Sequence, residues 1–290
     1  MASRQQIRRR INSVKNTRQI TRAMQLVAAS KLRRAQEAAI GPREYARLAR
    51  EILTHLRSLD TETAEGGALF AERPVKNRAI VMIASDKGLA GAYNSNIVRQ
   101  TIQELLEDEK KKIKTSLIAV GRQAARAATR LSKQEVLAVY QDLPDKPTAN
   151  DIRPLLTTLV DLFLEQKVDA VDIIYTKFIS TVRQEVQVQR LLPAGFEAEE
   201  VSQDIASAQI EPSVDELLQA ATMRLLEVQL YQVLYEAAAS EHSMRMLAMK
   251  NATDNATELV EDLTLEYNTA RQAAITQELA EISGGAEALK

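Results

Sequence analysis

Glycine and proline are distributed very unevenly along this chain, and that distribution restricts the folds it can adopt. Neither residue occurs before Gly41, and neither occurs from Ser213 through Ser283, a stretch of 71 residues. A continuous helix over that stretch would be roughly 105 Å long, because an α-helix rises about 1.5 Å per residue. We expect this helix to stop at Gly284–Gly285. The sequence therefore predicts two long terminal helices around an ordinary middle region.

The C-terminal segment carries both a helix start signal and a helical repeat. Ser213 and Glu216 form a capping box, in which each side chain can bond the other residue's backbone N–H. Apolar residues then recur three or four positions apart: Leu217, Ala221, Leu225, Val228, Tyr231 and Tyr235, and later Leu259, Leu263, Tyr267, Ala270 and Ala274. This spacing predicts one amphipathic helix.

The N-terminal segment has a similar repeat. Its apolar stripe begins at Ile7 and is interrupted near Arg18, after which Ile20, Met24 and Val27 continue it in a new register. We expect a register shift there, as in an imperfect coiled coil. Helical spacing resumes after Gly41, so we expect a kink at that residue and a helix lasting to about residue 60.

The middle region alternates between strand and helix patterns. The predicted strands are 78–84, 116–120, 136–140, 171–179 and 182–192, and the predicted helices end near 111, 131 and 166. Such alternation indicates a mostly parallel sheet with helices on both faces, and the closing hairpin makes the sheet mixed.

Size then decides the architecture. A domain of about 120 residues is only about 35 Å across, so a helix of roughly 105 Å must project from it. The two terminal helices run in opposite directions and can cover each other's apolar stripes. We therefore expect an α+β protein: a long antiparallel coiled coil formed by residues 1–60 and 213–283, and a Rossmann-like α/β domain with a mixed sheet over residues 76–195.

Charge agrees with that pairing and excludes several functions. Residues 1–36 hold ten Lys or Arg and no acid, whereas residues 251–290 hold eight acids and two bases. Opposite charges favour the antiparallel pair. The whole chain has a formal charge of −1, which argues against a globally basic nucleic-acid binder, and it has no cysteine for disulfides, thiol catalysis or zinc. An arginine-rich N-terminus also resembles a mitochondrial transit peptide, but its helical pattern continues past residue 36. A nucleic-acid arm is a second possibility, but no aromatic residue for base stacking occurs before Tyr45.

Sites for small-molecule chemistry are weakly indicated. Gly88 and Gly91 follow a strand and precede a helix, and Gly121 lies at the next strand–helix joint, where anions can bind. Neither place has a complete nucleotide-binding motif. Asp86 and Lys87 either meet a partner or are solvated, and His55 and His242 are expected to pack on helices. We predict no catalytic, cofactor or metal site, while a nucleotide-dependent α/β enzyme and a coiled-coil tether remain as alternatives.

Four stretches of the chain carry a resemblance that covers both ends and the middle. They are Ile20–Lys31 (ITRAMQLVAASK), Ser85–Asn94 (SDKGLAGAYN), Met249–Asn255 (MKNATDN) and Ile275–Glu281 (ITQELAE). Together they resemble the gamma subunit of the F-type, proton-translocating ATP synthases, although many relatives have Cys at the position of Ala90.

The resemblance implies a non-catalytic rotor shaft that couples proton flow to ATP synthesis without binding nucleotide or any cofactor. Its implied partners are the alpha and beta subunits of the catalytic head, the epsilon subunit and the membrane c-ring, at the cytoplasmic face of a bacterial plasma membrane. By motif, the residues implied to contact the head are Met24, Lys31, Arg245, Arg271, Gln272 and Thr276. An apolar tip that turns in the head is implied for Ile275, Leu279 and Ile282.

Overall fold

The structure is a computed structural model that describes residues 4–40, 42–58, 65–131, 133–144, 147–195, 200–208, 211 and 213–288. The chain divides into two compact units. One, the two-helix unit, comprises Met1–Ala28 and Arg245–Lys290, and the other, the sheet unit, comprises Ala29–Met244.

Long terminal helices form where the breaker distribution predicts them. Helix α1 spans Arg4–Ile40, α2 spans Pro42–Ser58 and α7 spans Val214–Ala288. The backbone N–H of Glu216 donates to Ser213 Oγ at 3.2 Å, which confirms that half of the capping box. The kink predicted at Gly41 lies outside the described residues.

The predicted helix stop at Gly284–Gly285 is wrong, because α7 continues through both glycines to Ala288. A glycine inside a helix costs only about 1 kcal/mol relative to alanine, so it weakens a helix without forbidding it. A glycine stop also needs a left-handed residue after the last turn, and the described glycines with positive φ are Gly91 and Gly121.

The sheet has the mixed topology that the sequence predicts. Its strands are β1 Asn77–Ile83, β2 Lys114–Val120, β3 Glu135–Tyr140, β4 Ala170–Phe178 and β5 Gln184–Leu192. Their order is β3-β2-β1-β4-β5; β1 to β4 are parallel, and β5 runs antiparallel to β4 in the predicted hairpin.

Helices cover both faces of this sheet. Helices α3 (Tyr93–Lys111) and α4 (Arg122–Arg130) pack on alternate strand residues such as Ile80 and Met82. Helix α5 (Ala149–Leu164) and the early part of α7 pack on the other face, against residues such as Val81. This alternation follows from the two-residue period of strand side chains.

The first turns of α7 also pack on α2. Leu53 and Leu56 of α2 form a cluster with Leu218 and Leu225 of α7, and all four are fully or almost fully buried. A short helix, α6 (Gln203–Ala206), lies in the link between β5 and α7. Just before it, the Ser202 backbone N–H donates to the buried carboxylate of Glu51 at 2.8 Å. Hydrogen bonding from the Ser202 side chain, followed by this bond from its backbone N–H, lowers the pKa of Glu51.

A buried ionic cluster joins three strands to the end of α3. The Arg78 guanidinium donates to Asp172 at 2.5 Å, to Glu104 at 3.0 Å and to Asp108 at 3.0 Å. Arg190 also donates to Asp172. Burial works against the charge of Arg78, but the carboxylates of Asp172 and Asp108 outweigh it and raise its pKa. Arg78 therefore stays charged and compensates acids that have little access to water.

We predict that Arg78→Met lowers the free energy of unfolding by about 3–5 kcal/mol, because it leaves buried carboxylates without their cation. Urea denaturation followed by circular dichroism measures this. The matched control is Arg183→Met, which removes an exposed pair with Glu185 and should cost less than about 1 kcal/mol. Equal losses in the two variants would contradict the assignment.

Candidate functional site

The loop after β1 is held by the chain's own hydrogen bonds. The Asp86 carboxylate accepts a bond from the Arg122 backbone N–H at 2.9 Å, at the first residue of α4. The Asn94 side chain bonds both the backbone N–H and the hydroxyl of Ser85 at 3.1 and 3.0 Å. Asp86 therefore occupies the helix terminus that would otherwise attract an anion. The interpretation of Asp86 as a merely solvated side chain is wrong.

Gly121 explains why the strand ends can approach so closely. Its φ is +94°, and a Cβ at this position would lie 2.0 Å from the carbonyl oxygen of Ala84. Only glycine tolerates both conditions. The joint between β2 and α4 thus serves close packing against the end of β1.

We predict that Gly121→Ala destabilises the sheet unit by at least about 2 kcal/mol, because backbone strain and the clash with Ala84 act together. Gly88→Ala is the control, since a Cβ there meets nothing within 4 Å and should change stability little. Urea denaturation of both variants provides the comparison. An unchanged midpoint for Gly121→Ala would show that the close approach is not required.

The other candidate residues pack as predicted. His242 is buried and His55 is half-buried. The rings of Tyr231 and Tyr235 stack with centroids 6.1 Å apart on one face of α7. Within the part of the chain that is described, His, Asp and Glu side chains form no group of three that could hold a metal. None of the described helices has the length and apolarity needed to cross a membrane.

The two-helix unit is an antiparallel pair of α1 and α7. Ile7 and Ile11 near the start of α1 form a buried cluster with Leu263. Further along α1, the Thr21 hydroxyl lies 2.8 Å from that of Thr253, which precedes Leu263 in α7. Because α1 positions rise while their α7 partners fall, the helices run in opposite directions, as predicted.

The contact side of α1 follows an unbroken heptad pattern, in steps of four and three residues. We call the contact side of each helix the coil seam. On α1 its members are buried or half-buried: Ile7, Ile11, Val14, Arg18, Thr21, Gln25 and Ala28. On α7 the same spacing gives Met249, Thr253, Ala256, Val260, Leu263, Tyr267, Ala270 and Ala274. The predicted register shift at Arg18 is therefore wrong.

Along part of the seam, small and polar residues make the contact between the helices, while large apolar side chains face outward. Ile20 is 60% exposed, Leu26 is 65% exposed and Val27 is 57% exposed, whereas Ala28 is buried. On α7, Leu265 is 70% exposed while Ala256 is buried. The apolar periodicity predicted that Ile20 and Val27 lie in the core of the helix pair, and this prediction is wrong. Periodicity reflects only the apolarity of one helix and carries no information about the position of the partner helix. Leu26 and Leu265 also face outward: a strict heptad count from Ile7 places Leu26 outside the α1 seam, and a count from Met249 places Leu265 outside the α7 seam.

The residues implied to contact the head have different environments. Met24 and Lys31 are half-buried on α1, and Arg245 is only 8% exposed. Arg271, Gln272 and Thr276 are exposed on α7, and the Thr276 hydroxyl bonds the Gln272 carbonyl at 3.0 Å. The three tip residues Ile275, Leu279 and Ile282 are 46%, 60% and 69% exposed.

Charge complementarity between the two helices produces little direct pairing. Among the described residues of the two-helix unit, one interhelical ion pair is formed, between Arg4 and Glu278 at 3.7 Å. Both side chains are largely exposed, so the pair contributes less than about 1 kcal/mol. Direct ion pairing with α7 therefore contributes little to holding this part of α1 in place.

We predict opposite responses to truncating two isoleucines of α1. Ile11→Ala should cost about 2–4 kcal/mol of local stability, because it opens a cavity in the seam. Ile20→Ala should stay within about 0.5 kcal/mol in the isolated chain, because its side chain faces water. Hydrogen exchange of the α1 backbone amides measures both. A larger loss of local stability in Ile20→Ala than in Ile11→Ala would show that Ile20 lies in the seam, as the apolar periodicity suggested.

Comparison with known proteins now places the chain. Residues 3–289 match the ATP synthase family. ATP synthase gamma chains from Roseiflexus castenholzii and Moorella thermoacetica are 41% and 42% identical over 289 and 291 residues, covering all of this chain and 99% and 100% of the relatives.

The solved structures agree on the fold. A chain of the Euglena gracilis mitochondrial ATP synthase (OSCP/F1/c-ring) has a TM-score of 0.67 at 18% identity, with 99% of this chain and 94% of that chain covered. A chain of the Tetrahymena thermophila central stalk and c-ring has a TM-score of 0.60 at 22% identity, with coverage of 80% and 99%. The resemblance carried by the four sequence stretches is thus confirmed, and the chain belongs to the gamma-chain family of the ATP synthases.

Proposed function

We propose that this chain is the central rotor shaft of an F-type ATP synthase, coupling proton flow through the membrane sector to conformational change at the catalytic beta subunits. The observation that carries the proposal is the outward apolar surface of the two-helix unit. Ile20 and Val27 lie seven residues apart on one flank of α1, and both are more than half exposed. A coil that worked alone in water would place such side chains in its seam.

The outward residues make the two-helix unit unequal around its axis. Ile20 and Val27 occupy one flank of α1, while Leu26 lies on the opposite flank in heptad geometry. The small side chains Ala28 and Ala256 fill the seam between the helices. A surrounding protein therefore meets a different surface at each angle.

Unequal faces can act on a partner only through differential binding. A shaft surface shifts a beta subunit between conformations only if it binds them with different free energies. A change from 1:99 to 99:1 requires about 5.5 kcal/mol. Burying two or three large apolar side chains at about 1.5–3 kcal/mol each would supply this.

The basic residues of α1 give the shaft a second way to bind the conformations of a partner with different free energies. Lys31 and the arginines of α1 carry charge that a partner's carboxylates can recognise through charge-assisted hydrogen bonds. The exposed set Arg271, Gln272 and Thr276 is proposed for the same role on α7. Arg245 is buried, so we propose that it sets the position of α7 instead, and Arg245→Glu would also disturb the chain internally.

The end of α7 is proposed as a bearing. Ile275, Leu279 and Ile282 expose apolar side chains, and apolar contacts have no preferred direction. Such a surface can turn inside an apolar collar without breaking fixed hydrogen bonds at each angle.

The proposed partners are the alpha and beta subunits around the two-helix unit, and epsilon and the c-ring at the sheet unit. The structural neighbours named as F1, central stalk and c-ring assemblies support this arrangement. The chain would then be peripheral to the membrane, at the cytoplasmic face in a bacterium.

We further propose that the chain contributes no catalytic residue to the complex. The alternative, a nucleotide-dependent enzyme, would need an anion site at the strand ends. Asp86 already satisfies the backbone N–H of Arg122, and Gly121 brings the chain within contact of Ala84. A carboxylate in this position would repel a phosphate.

The double variant Ile20→Asp/Val27→Asp tests the rotor proposal in the assembled complex. We expect ATP-driven proton pumping to fall severalfold relative to ATP hydrolysis, because the charges disrupt apolar contacts with the head. Asn16→Asp, at an exposed polar position of α1, is the control and should leave the ratio unchanged.

The measurements are proton uptake and ATPase rate on the same reconstituted vesicles. Coupling in the double variant equal to that of Asn16→Asp would refute the role of the apolar flank. Failure of the unchanged chain to co-purify with head and ring subunits would refute the rotor proposal itself.

A further inference from the structure

The turn of the β4–β5 hairpin is joined to α7 by hydrogen bonds through a single serine. Ser243 is fully buried on α7, and its hydroxyl donates to the backbone carbonyl of Thr181, in the turn, at 2.9 Å. The same hydroxyl accepts a bond at 3.2 Å from the side-chain amide of Gln184, the first residue of β5. Because a hydroxyl has one donor and two acceptor positions, Ser243 can make both bonds at once.

The turn is also braced by its own hydrogen bonds. The Ser180 backbone N–H donates to the Arg183 carbonyl at 2.9 Å, and the Arg183 backbone N–H donates to the Ser180 hydroxyl at 3.0 Å. The Gln184 side-chain amide, which bonds Ser243, also donates to the Ser180 carbonyl at 2.8 Å. The contact with α7 is therefore made by a turn whose shape is already fixed.

A second polar contact lies on the same face of α7, two helical turns earlier. Glu236 precedes Ser243 by seven residues, so the two side chains point in nearly the same direction. The hydroxyl of Tyr175, on β4, lies 3.4 Å from the Glu236 carboxylate and 3.2 Å from the side-chain oxygen of Gln189, on β5. Burial, followed by the charge of Glu236, raises the pKa of Tyr175, so its hydroxyl keeps its proton and donates. The hairpin thus holds α7 at two heights.

These contacts lie where α7 leaves the sheet unit. Ser243 is one residue before Met244, the last residue of that unit, and α7 continues into the two-helix unit as one helix. Apolar packing of α7, such as that of Val233 and Ala237, has no preferred direction. Hydrogen bonds, in contrast, weaken steeply when their angle changes. The bonds of Ser243 therefore oppose rotation of α7 about its own axis.

We propose that the β4–β5 turn is a torsional clamp, in which Thr181 and Gln184 hold Ser243 and so fix the rotational angle of α7 where it leaves the sheet unit. Torque applied to the sheet unit then reaches α7 through these bonds as well as through packing. The inference rests on the proposed function, since only a rotating shaft carries torque. Ser243 and Gln184 are thereby positioning residues for coupling.

Ser240 provides a matched control. It lies three residues before Ser243 on α7 and is equally buried, and its hydroxyl has no hydrogen-bond partner among the described residues. Ser243→Ala and Ser240→Ala thus remove the same atom from the same helix at the same burial, but only the first breaks hydrogen bonds. Gln184→Ala breaks the clamp from the hairpin side and carries the test if Ser243→Ala does not fold.

The test measures twisting of the shaft in the assembled ATP synthase complex. The head is fixed to glass and locked with a non-hydrolysable ATP analogue, and a gold rod on the c-ring reports angular fluctuations. We expect Ser243→Ala and Gln184→Ala each to widen the angular distribution, whereas Ser240→Ala leaves it unchanged. The double variant Ser243→Ala/Gln184→Ala should widen it by less than the two single changes together, because both changes break the same bond.

Hydrogen exchange of the full chain gives a second measurement. Loss of two hydrogen bonds of ordinary strength in Ser243→Ala should speed exchange of the Ser180 and Arg183 amides about tenfold. The same amides should exchange at an unchanged rate in Ser240→Ala.

The contrary results are also defined. Equal angular distributions in Ser243→Ala and Ser240→Ala would overturn the clamp while leaving the rotor proposal intact. Faster exchange in Ser243→Ala without wider angular fluctuations would show that Ser243 only stabilises the turn, which also overturns the clamp. If the unchanged chain does not enter the complex, the proposed function and this inference both fail.

Discussion

The α1–α7 seam is the constraint on which the rest of the two-helix unit depends. A single helix in water is marginal, so each helix must cover an apolar or small-residue face with the other. Near the start of α1 this cover is conventional, with Ile7 and Ile11 packed on Leu263. Further along, a Thr21–Thr253 hydrogen bond and buried alanines replace large apolar contacts. The helices remain in heptad register while their largest side chains turn outward.

This arrangement makes the helix pair less stable by itself, but it leaves an apolar surface that another protein can contact. Ile20 and Val27 would stabilise the pair if they occupied the seam, yet each is more than half exposed. In the sheet unit, by contrast, the chain covers a surface that another molecule could otherwise contact. Its strand ends, where open α/β sheets commonly bind ligands, are closed by Gly121 and by the Asp86 carboxylate. The chain's own groups thus occupy this joint, and Arg78 compensates the acids buried elsewhere in the unit.

Much of the fold could be predicted because its signals are local. The breaker-free ends specify long helices, and a buried strand such as β1 contains an apolar run, residues 79–83. The hairpin follows from the short link between β4 and β5, and the four-residue spacing of Tyr231 and Tyr235 puts both rings on one helix face, where they stack. The candidate site was less predictable. Apolar periodicity selected Ile20 as a core residue. Whether such a residue faces the partner helix or solvent depends on residues of the same chain that lie more than 200 positions away in the sequence.

The sequence by itself determined that two long helices flank a mixed α/β sheet, and its motifs indicated the family. Helix length, strand period and capping are short-range properties that neighbouring residues encode. Only the tertiary structure decided which face of α1 meets α7, that the seam keeps one register past Arg18, and that Asp86 closes the end of α4. These features depend on distances between residues far apart in the chain, where packing and electrostatics override local apolarity.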